Sequence, residues 1–297
     1  NLSGWRREIL QLVPGEFAGR TGEAGGAGFF AAEEFLSRGA FHAGPAYPGC
    51  LTLGVLAGSS DSALWNGQRI DAERVVCAFG DLEMLLRTHD NASLSWLSVP
   101  YGRLEGHAAL RAGIEGQRHG AALCLHDRRL ADAIRRQVER LLFAPDEAAA
   151  RPSPAAGEAL ALADDFVRRY LMAMPELSAR EGHAVRVIRA VRSHLLRNAG
   201  ASIGIPDLCA VAATSERTLR NASETVTGES PVAFLRAMRL NQVRRCLLGA
   251  TTPVRITEIG MKWGFLHMPR FSRDYRMLFG ELPSETIRRQ FAGGGTE

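Results

Sequence analysis

The sequence predicts an α+β protein in two parts, a β-rich N-terminal portion with flanking helices and an all-α C-terminal domain. Three observations predict it. Short apolar runs separated by glycine-rich turns fill the first hundred residues, apolar positions recur at helical spacing in the last third, and the balance of charge changes sign between the two.

Size and composition set the bounds. The 297 residues suffice for two domains with their own cores, and 46% hydrophobic with 23% charged residues is ordinary for a globular chain. No apolar run reaches the roughly 18 residues needed to cross a bilayer. The first residues show no signal-peptide pattern, so no membrane partner and a cytoplasmic location are expected. Cys50, Cys77, Cys124, Cys209 and Cys246 are scattered, with no C-x-x-C pair, so neither a disulfide framework nor a zinc ribbon is indicated. From His183 to Glu297 there are 17 Lys+Arg against 9 Asp+Glu, whereas residues 1–182 hold 19 basic and 23 acidic ones. A basic third on a mildly acidic body fits a polyanion-binding module, and a solvated basic face is the plain alternative.

In the N-terminal part, Leu51, Leu53 and Val55 alternate with Thr52 and Gly54 as a half-buried strand would. Residues 75–79, 82–86 and 94–99 read as further strands, with turns at 58–61, Asn66-Gly67, Gly80-Asp81 and 89–91. The regular spacing predicts a small barrel or sandwich over about residues 1–100. Asp127–Phe143 and Leu160–Met174 read as amphipathic helices, the first with Leu130, Ile134, Val138, Leu141 and Leu142 in one stripe. Pro145–Gly157 reads as a loop, and the linker to the next domain falls near Pro175–Gly182.

The C-terminal part carries stronger signals. Ala184–Asn198 is predicted as an amphipathic helix through Val185, Ile188, Val191 and Leu195, with Gly200 able to close it. A short helix from Pro206-Asp207 to Ala212, a turn at Ala213-Thr214 and the N-cap Ser215 lead into a helix over 216–226. Ser230-Pro231 starts a helix of about 17 residues ending at Leu248. Its apolar residues Phe234, Leu235, Met238, Val243, Leu247 and Leu248 are expected to face the elements on either side. Ile256, Ile259 and Trp263 mark another short helix, Gly264-Phe265 a turn, Met268–Phe279 a second long helix, and Pro283 a last one. Two helix-turn-helix motifs about fifty residues apart are therefore expected, each offering short polar and basic side chains at the start of its second helix.

These residues resemble the AraC/XylS transcription regulators. The resemblance is carried by Ile256-Thr-Glu-Ile-Gly-Met-Lys-Trp-Gly-Phe265, Arg270-Phe-Ser-Arg-Asp-Tyr275, Phe279-Gly280 and Pro283-Ser-Glu-Thr286. Further matches are Ser215-Glu-Arg-Thr-Leu219, Thr227-Gly228, Ser230-Pro231 and Leu240-Asn-Gln-Val-Arg-Arg245. It implies an N-terminal effector-binding and dimerisation domain over 1–178, a small cupin-like β-barrel to about residue 100 followed by helices over about 104–178. It implies a DNA-binding domain with the double motif over 183–291. The phrase from Phe79 to Pro100 resembles the effector-binding halves of the same family, and a fainter likeness to ethanolamine-operon-type regulators starts at Pro14-Gly15-Glu16-Phe17.

Carried over by position, the resemblance makes Arg217, Arg220, Asn221, Met268, Pro269, Ser272 and Arg273 the base-reading residues. It makes Ser215, Lys262, His267, Arg270 and Arg276 phosphate contacts, with Arg244 in a backbone or intrahelical role. For Arg220 and Arg273 the choice between base and phosphate stays open. Two departures stand out: Ser223 where the family has a large aromatic, which predicts loose packing of the first reading helix, and Pro269 in place of a small residue. The implied partners are promoter double-stranded DNA, RNA polymerase, a second copy of the chain and a small-molecule effector. The expected function is a transcription regulator, an activator. The alternative is a ligand-binding or catalytic barrel whose C-terminal helices bind protein.

No catalytic or cofactor signature accompanies this pattern. His42, His89, His107, His119 and His126 are isolated, without the His-x-His spacing of a cupin metal site, so no metal is expected. No phosphate loop, nucleotide fingerprint or nucleophile elbow is present, and no enzyme activity or cofactor is expected. Trp65, Phe79, Trp96 and Tyr101 are candidates to line an effector pocket, with core filling as the alternative.

Overall fold

The computed structural model describes residues 5–26, 28–57, 63–79, 83–104, 108, 123–143, 154–173, 182–198 and 203–292. The turns expected at 58–61 and 80–81, most of the linker near 175–182, Gly200, His107 and His119 lie outside the described residues. Two compact units result: Asn1–Ile9, Gly19–Ser37 and His42–Gly182 in the first, and Leu10–Ala18, Arg38–Phe41 and His183–Glu297 in the second. The described architecture is mixed, with sheets in the N-terminal part and helices in the C-terminal part.

The strands, numbered in chain order, pair into two sheets. The five-stranded one runs β1 (Glu8–Gln11), β4 (Ala40–Pro45), β9 (Glu83–Arg87), β6 (Ala63–Trp65), β7 (Gln68–Ile70). The six-stranded one runs β11 (Leu123–His126), β8 (Arg74–Phe79), β5 (Cys50–Leu56), β10 (Ala92–Pro100), β3 (Phe29–Leu36), β2 (Gly19–Gly26). The expected barrel is not closed among the described residues. Closure needs each edge strand to find a partner, and the edge strand β2, Gly-Arg-Thr-Gly-Glu-Ala-Gly-Gly, is almost wholly exposed with no apolar face to draw it over the core. The expected strands are present with slightly different ends, and the Asn66-Gly67 turn is a hairpin between β6 and β7 with both residues at positive φ.

One face of the six-stranded sheet is covered by helices α1 (Arg128–Leu142) and α2 (Pro154–Ala173). Leu130, Ile134, Val138 and Leu141 of α1 and Phe166, Val167 and Tyr170 of α2 join Leu51, Leu53, Val55, Leu97 and Val99 in one buried cluster. Each such aliphatic side chain stabilises the unit by about 1.5–3 kcal/mol relative to exposure. Asp127 caps α1 by accepting from the Leu130 amide at 3.0 Å. The second helix starts at Pro154, so the end of the expected loop is helical, because proline suits a first turn.

The opposite face carries Trp96. In the β10–β5 register Trp96 lies across from Gly54, and a Cβ there would come within 2.4 Å of the indole, so the ring can lie flat over the neighbouring strand only because that residue is glycine.

The second unit holds α3 (His183–Arg197), α4 (Ile205–Val211), α5 (Glu216–Thr227), α6 (Pro231–Leu248), α7 (Ile256–Lys262), α8 (Met268–Phe279) and α9 (Pro283–Ala292). Among the described residues no helix is long and apolar enough to cross a membrane.

Candidate nucleic-acid interface

The helical unit repeats one local pattern. The seven-residue α4 ends at Ala212 and turns through Ala213 at φ +47°; Ser215 then caps the twelve-residue α5. The seven-residue α7 ends at Trp263 and turns through Gly264 at φ +82°; His267 then caps the twelve-residue α8. A left-handed residue at the turn reverses the chain sharply, which glycine does freely and alanine at some cost. Gly228 and Gly280, both left-handed, end the two longer helices, and each is followed by a helix that begins with proline. The caps are side-chain bonds: Ser215 Oγ accepts from the Thr218 amide at 3.2 Å, and His267 Nδ1 from the Arg270 amide at 3.1 Å.

Burial sorts the two faces. On α5, Leu219, Ala222, Ser223 and Val226 point inward, while Arg217, Arg220 and Asn221 are exposed. On α8, Phe271, Tyr275, Leu278 and Phe279 point inward, while Pro269, Arg270, Arg273 and Arg276 are exposed. Ser215, His267 and Lys262, the last residue of α7, are also exposed, so ten of the twelve candidate contacts are exposed. Met268 and Ser272 are half-buried. The Met268 side chain lies against α7, where a Cβ on Gly260 would meet its Cε at 3.4 Å, so this residue is partly engaged in helix packing. Pro269 occupies the first turn of α8, where its missing amide breaks no helical bond.

Charge pairing distinguishes the arginines. Arg220 lies 3.9 Å from Glu216, and Arg270 lies 3.9 Å from Asp274, both loose surface pairs one helical turn apart. Arg217, Arg273 and Arg276 have no carboxylate partner among the described residues and are available to an outside anion. Arg255, at the N-terminus of α7 with a side chain 82% exposed, is a basic group that sequence reasoning passed over. Its position just before a helix start was the available signal.

Arg244 has a different role from the backbone or intrahelical one expected. It pairs with Glu281 at 2.6 Å and lies 4.6 Å over the Phe279 ring, tying α6 to the end of α8. Glu281 also accepts from Arg289 and from the Thr286 hydroxyl, both at 2.8 Å. Burial raises the Glu281 pKa, but the bonds from Thr286 and Arg244 and the charges of Arg244 and Arg289 outweigh it and hold the carboxyl below its ordinary value.

The rod between the pairs is α6, about 27 Å long at 1.5 Å per residue. Phe234, Leu235, Met238, Val243 and Leu247 are buried as expected, and Leu248 is instead exposed. The helix also buries Asn241 and Gln242. Asn241 accepts from the Gln11 amide at 3.0 Å and donates to the Gln11 carbonyl at 2.9 Å, copying a strand neighbour for the Leu10–Ala18 segment of the same unit. The Leu278 carbonyl at the end of α8 accepts from Gln11 Nε2 at 2.6 Å and from the Gly15 amide at 3.1 Å.

The four candidate pocket residues do not gather into one cluster. Trp96 lies on one face of the six-stranded sheet, and Tyr101 packs into the helix-covered cluster on the other. Trp65 is buried in the five-stranded sheet, and Phe79 ends β8, its side chain outside the described residues. No cluster of metal-ligating side chains occurs among the described residues.

Paired short and long helices with outward-facing arginines define a helix-turn-helix class of protein. Residues 208–289 match the family described as a helix-turn-helix domain. The chain is 40% identical over 105 residues to the XylDLEGF operon transcriptional activator of Pseudomonas putida, an alignment covering 35% of this chain and 32% of that protein. It is 40% identical over 103 residues to XylDLEGF operon transcriptional activator 2 of the same organism, covering 34% of this chain and 63% of that one. A solved probable AraC family transcriptional regulator from Rhodopseudomonas palustris shares 35% identity, covers 35% of this chain and 96% of its own, and has a TM-score of 0.33. The C-terminal third of this chain is similar to the corresponding part of these transcriptional activators.

The match thus spans about a third of the first relative's length, and under two thirds of the second's.

Proposed function

We propose that the chain is a sequence-specific DNA-binding transcription regulator, an activator that acts on promoter DNA in the cytoplasm as a homodimer and contacts RNA polymerase. In this reading α4–α5 and α7–α8 are two helix-turn-helix motifs. Arg217, Arg220, Asn221, Met268, Pro269, Ser272 and Arg273 read bases, and Ser215, Lys262, His267, Arg270 and Arg276 hold phosphates. Residues 183–291 form the DNA-binding domain. Residues 1–178 form a barrel-like effector-binding and dimerisation domain.

The carrying observation is the repeated pair: a capped twelve-residue helix, twice, with exposed arginines on its outer face, of which Arg217, Arg273 and Arg276 have no carboxylate partner among the described residues. Phosphate contacts by those side chains would supply affinity, and bidentate contacts to base edges about 1–3 kcal/mol of discrimination each. Phe143 and Met172, 81% and 79% exposed, give α1 and α2 apolar surface for a second copy, and Leu266, Met261 and Met277 give the helical unit surface for the polymerase. A small molecule in the N-terminal unit would change promoter occupancy by binding one state of the chain more tightly than the other.

Footprinting on genomic promoter fragments at two salt concentrations tests the reading. Two protected segments about one helical turn apart on one face, with affinity falling steeply as salt rises, are expected. Flat, salt-insensitive binding would instead support a ligand-binding or catalytic barrel whose helices bind protein.

A further inference from the structure

We propose that the interior of the N-terminal unit binds the carboxylate of a small organic acid through Arg7 and His42, with Trp5 and Trp96 beside it. The proposal rests on reading that unit as the sensing half. His42 lies in β4, and Arg7 immediately precedes β1, the strand next to β4 in the five-stranded sheet. His42 is 0% exposed, and neither of its ring nitrogens has a hydrogen-bond partner among the described residues. Arg7 is 5% exposed; its Nη2 pairs with Glu34 of β3, and its Nη1 has no hydrogen-bond partner among the described residues. Buried polar atoms are almost always paired, because burial strips them of water, and three orphaned nitrogens on neighbouring strands need an explanation.

Trp5, Trp96 and Glu34 beside them are engaged. The guanidinium lies 4.4 Å from the Trp5 ring centroid and 5.3 Å from that of Trp96, and the two rings meet edge-on at 5.1 Å. Trp5 donates to the Pro45 carbonyl at 2.7 Å and Trp96 to Glu34 at 2.8 Å, so both indoles and Glu34 are fixed in place. Thr52 and Ser98, fully buried with their hydroxyls 2.9 Å apart, extend the polar lining along the Trp96 face of the six-stranded sheet.

The orphaned groups select the ligand. Arginine only donates, in a planar fork that matches a carboxylate, and an imidazole N–H donates beside it. The charged groups around the imidazole are Arg7, Arg87 and, bonded to Arg7, Glu34. Burial and the charges of the two arginines keep His42 neutral well below its ordinary pKa. An anion offsets those charges, and the neutral imidazole donates its one N–H to it.

Calorimetry on the full chain with acetate, butanoate, hexanoate and their primary amides tests this. At least one acid should bind saturably, and its amide at least about tenfold more weakly. His42→Gln should weaken acid binding at least about tenfold while promoter-DNA affinity stays that of the wild type, which shows the variant is folded. Three results overturn the site: no acid binds with Kd below about 10 mM, acid and amide bind alike, or His42→Gln binds the acid as wild type does. If an acid binds but promoter affinity does not move, the site stands and the sensing role falls. If the chain binds no promoter DNA, the regulator reading falls, and the calorimetry still decides the site.

Discussion

Arg273 sits on the exposed face of α8 between Arg270 and Arg276, with no carboxylate partner among the described residues. If it reads a base, Arg273→Ala weakens binding by about 1–3 kcal/mol at its cognate operator and relaxes the preference at one base pair. Binding measured across an operator library checks this, and an equal loss on every sequence would assign Arg273 to phosphate. Outward-facing positions of this kind were legible in the sequence, because helical spacing divides a capped segment into two faces. The Arg7–His42 group was not legible. Its members are 35 residues apart, carry no spacing pattern, and come together only through the pairing of β1 with β4. Arg244 was misread for a related reason, since its partner Glu281 lies beyond a whole helix pair.

At the scale of elements, helix ends were read closely because each is marked by a cap or a proline, and these act locally. Strands were read only where apolar residues alternate with polar ones or form a short run bounded by turns. Strand β2 has no such alternation, and β6 and β7 are three residues each, too short for a pattern to show. The loose packing expected around Ser223 is not seen. Ser223 is fully buried, and its carbonyl accepts from the Thr227 hydroxyl at 2.7 Å, so a small residue closes this position where an aromatic would fill it. The buried polar residues of α6 carry a sharper expectation. Asn241→Ala leaves the buried amide and carbonyl of Gln11 without these partners and should destabilise the helical unit by about 1–3 kcal/mol. Denaturant unfolding followed by circular dichroism measures it, and a change under about 0.5 kcal/mol would show that the contact adds nothing.

For the whole molecule, acid should weaken the N-terminal unit before it affects DNA contacts. His42 has a folded pKa well below its ordinary 6.5, so the unfolded chain binds a proton that the folded chain does not. Stability therefore rises with pH up to about 6.5 and is level above it as far as this residue is concerned, with a slope of at most about 1.4 kcal/mol per pH unit below. Melting temperatures of the wild type and His42→Gln from pH 5 to 8 should diverge only on the acid side, and parallel curves would remove His42 as the cause.

The Gln11–Asn241 pairing has a practical consequence for anyone who treats the basic third as a portable cassette. A cut at residue 182 discards Leu10–Ala18 and Arg38–Phe41, although both belong to the helical unit. It strips the Gln11 backbone from Asn241 and the Phe41 ring, 5.3 Å edge-on, from Phe234. A graft that carries those two strips along, or replaces Asn241 and Phe234 with residues suited to water, keeps the reading heads on a rod with no raw seam.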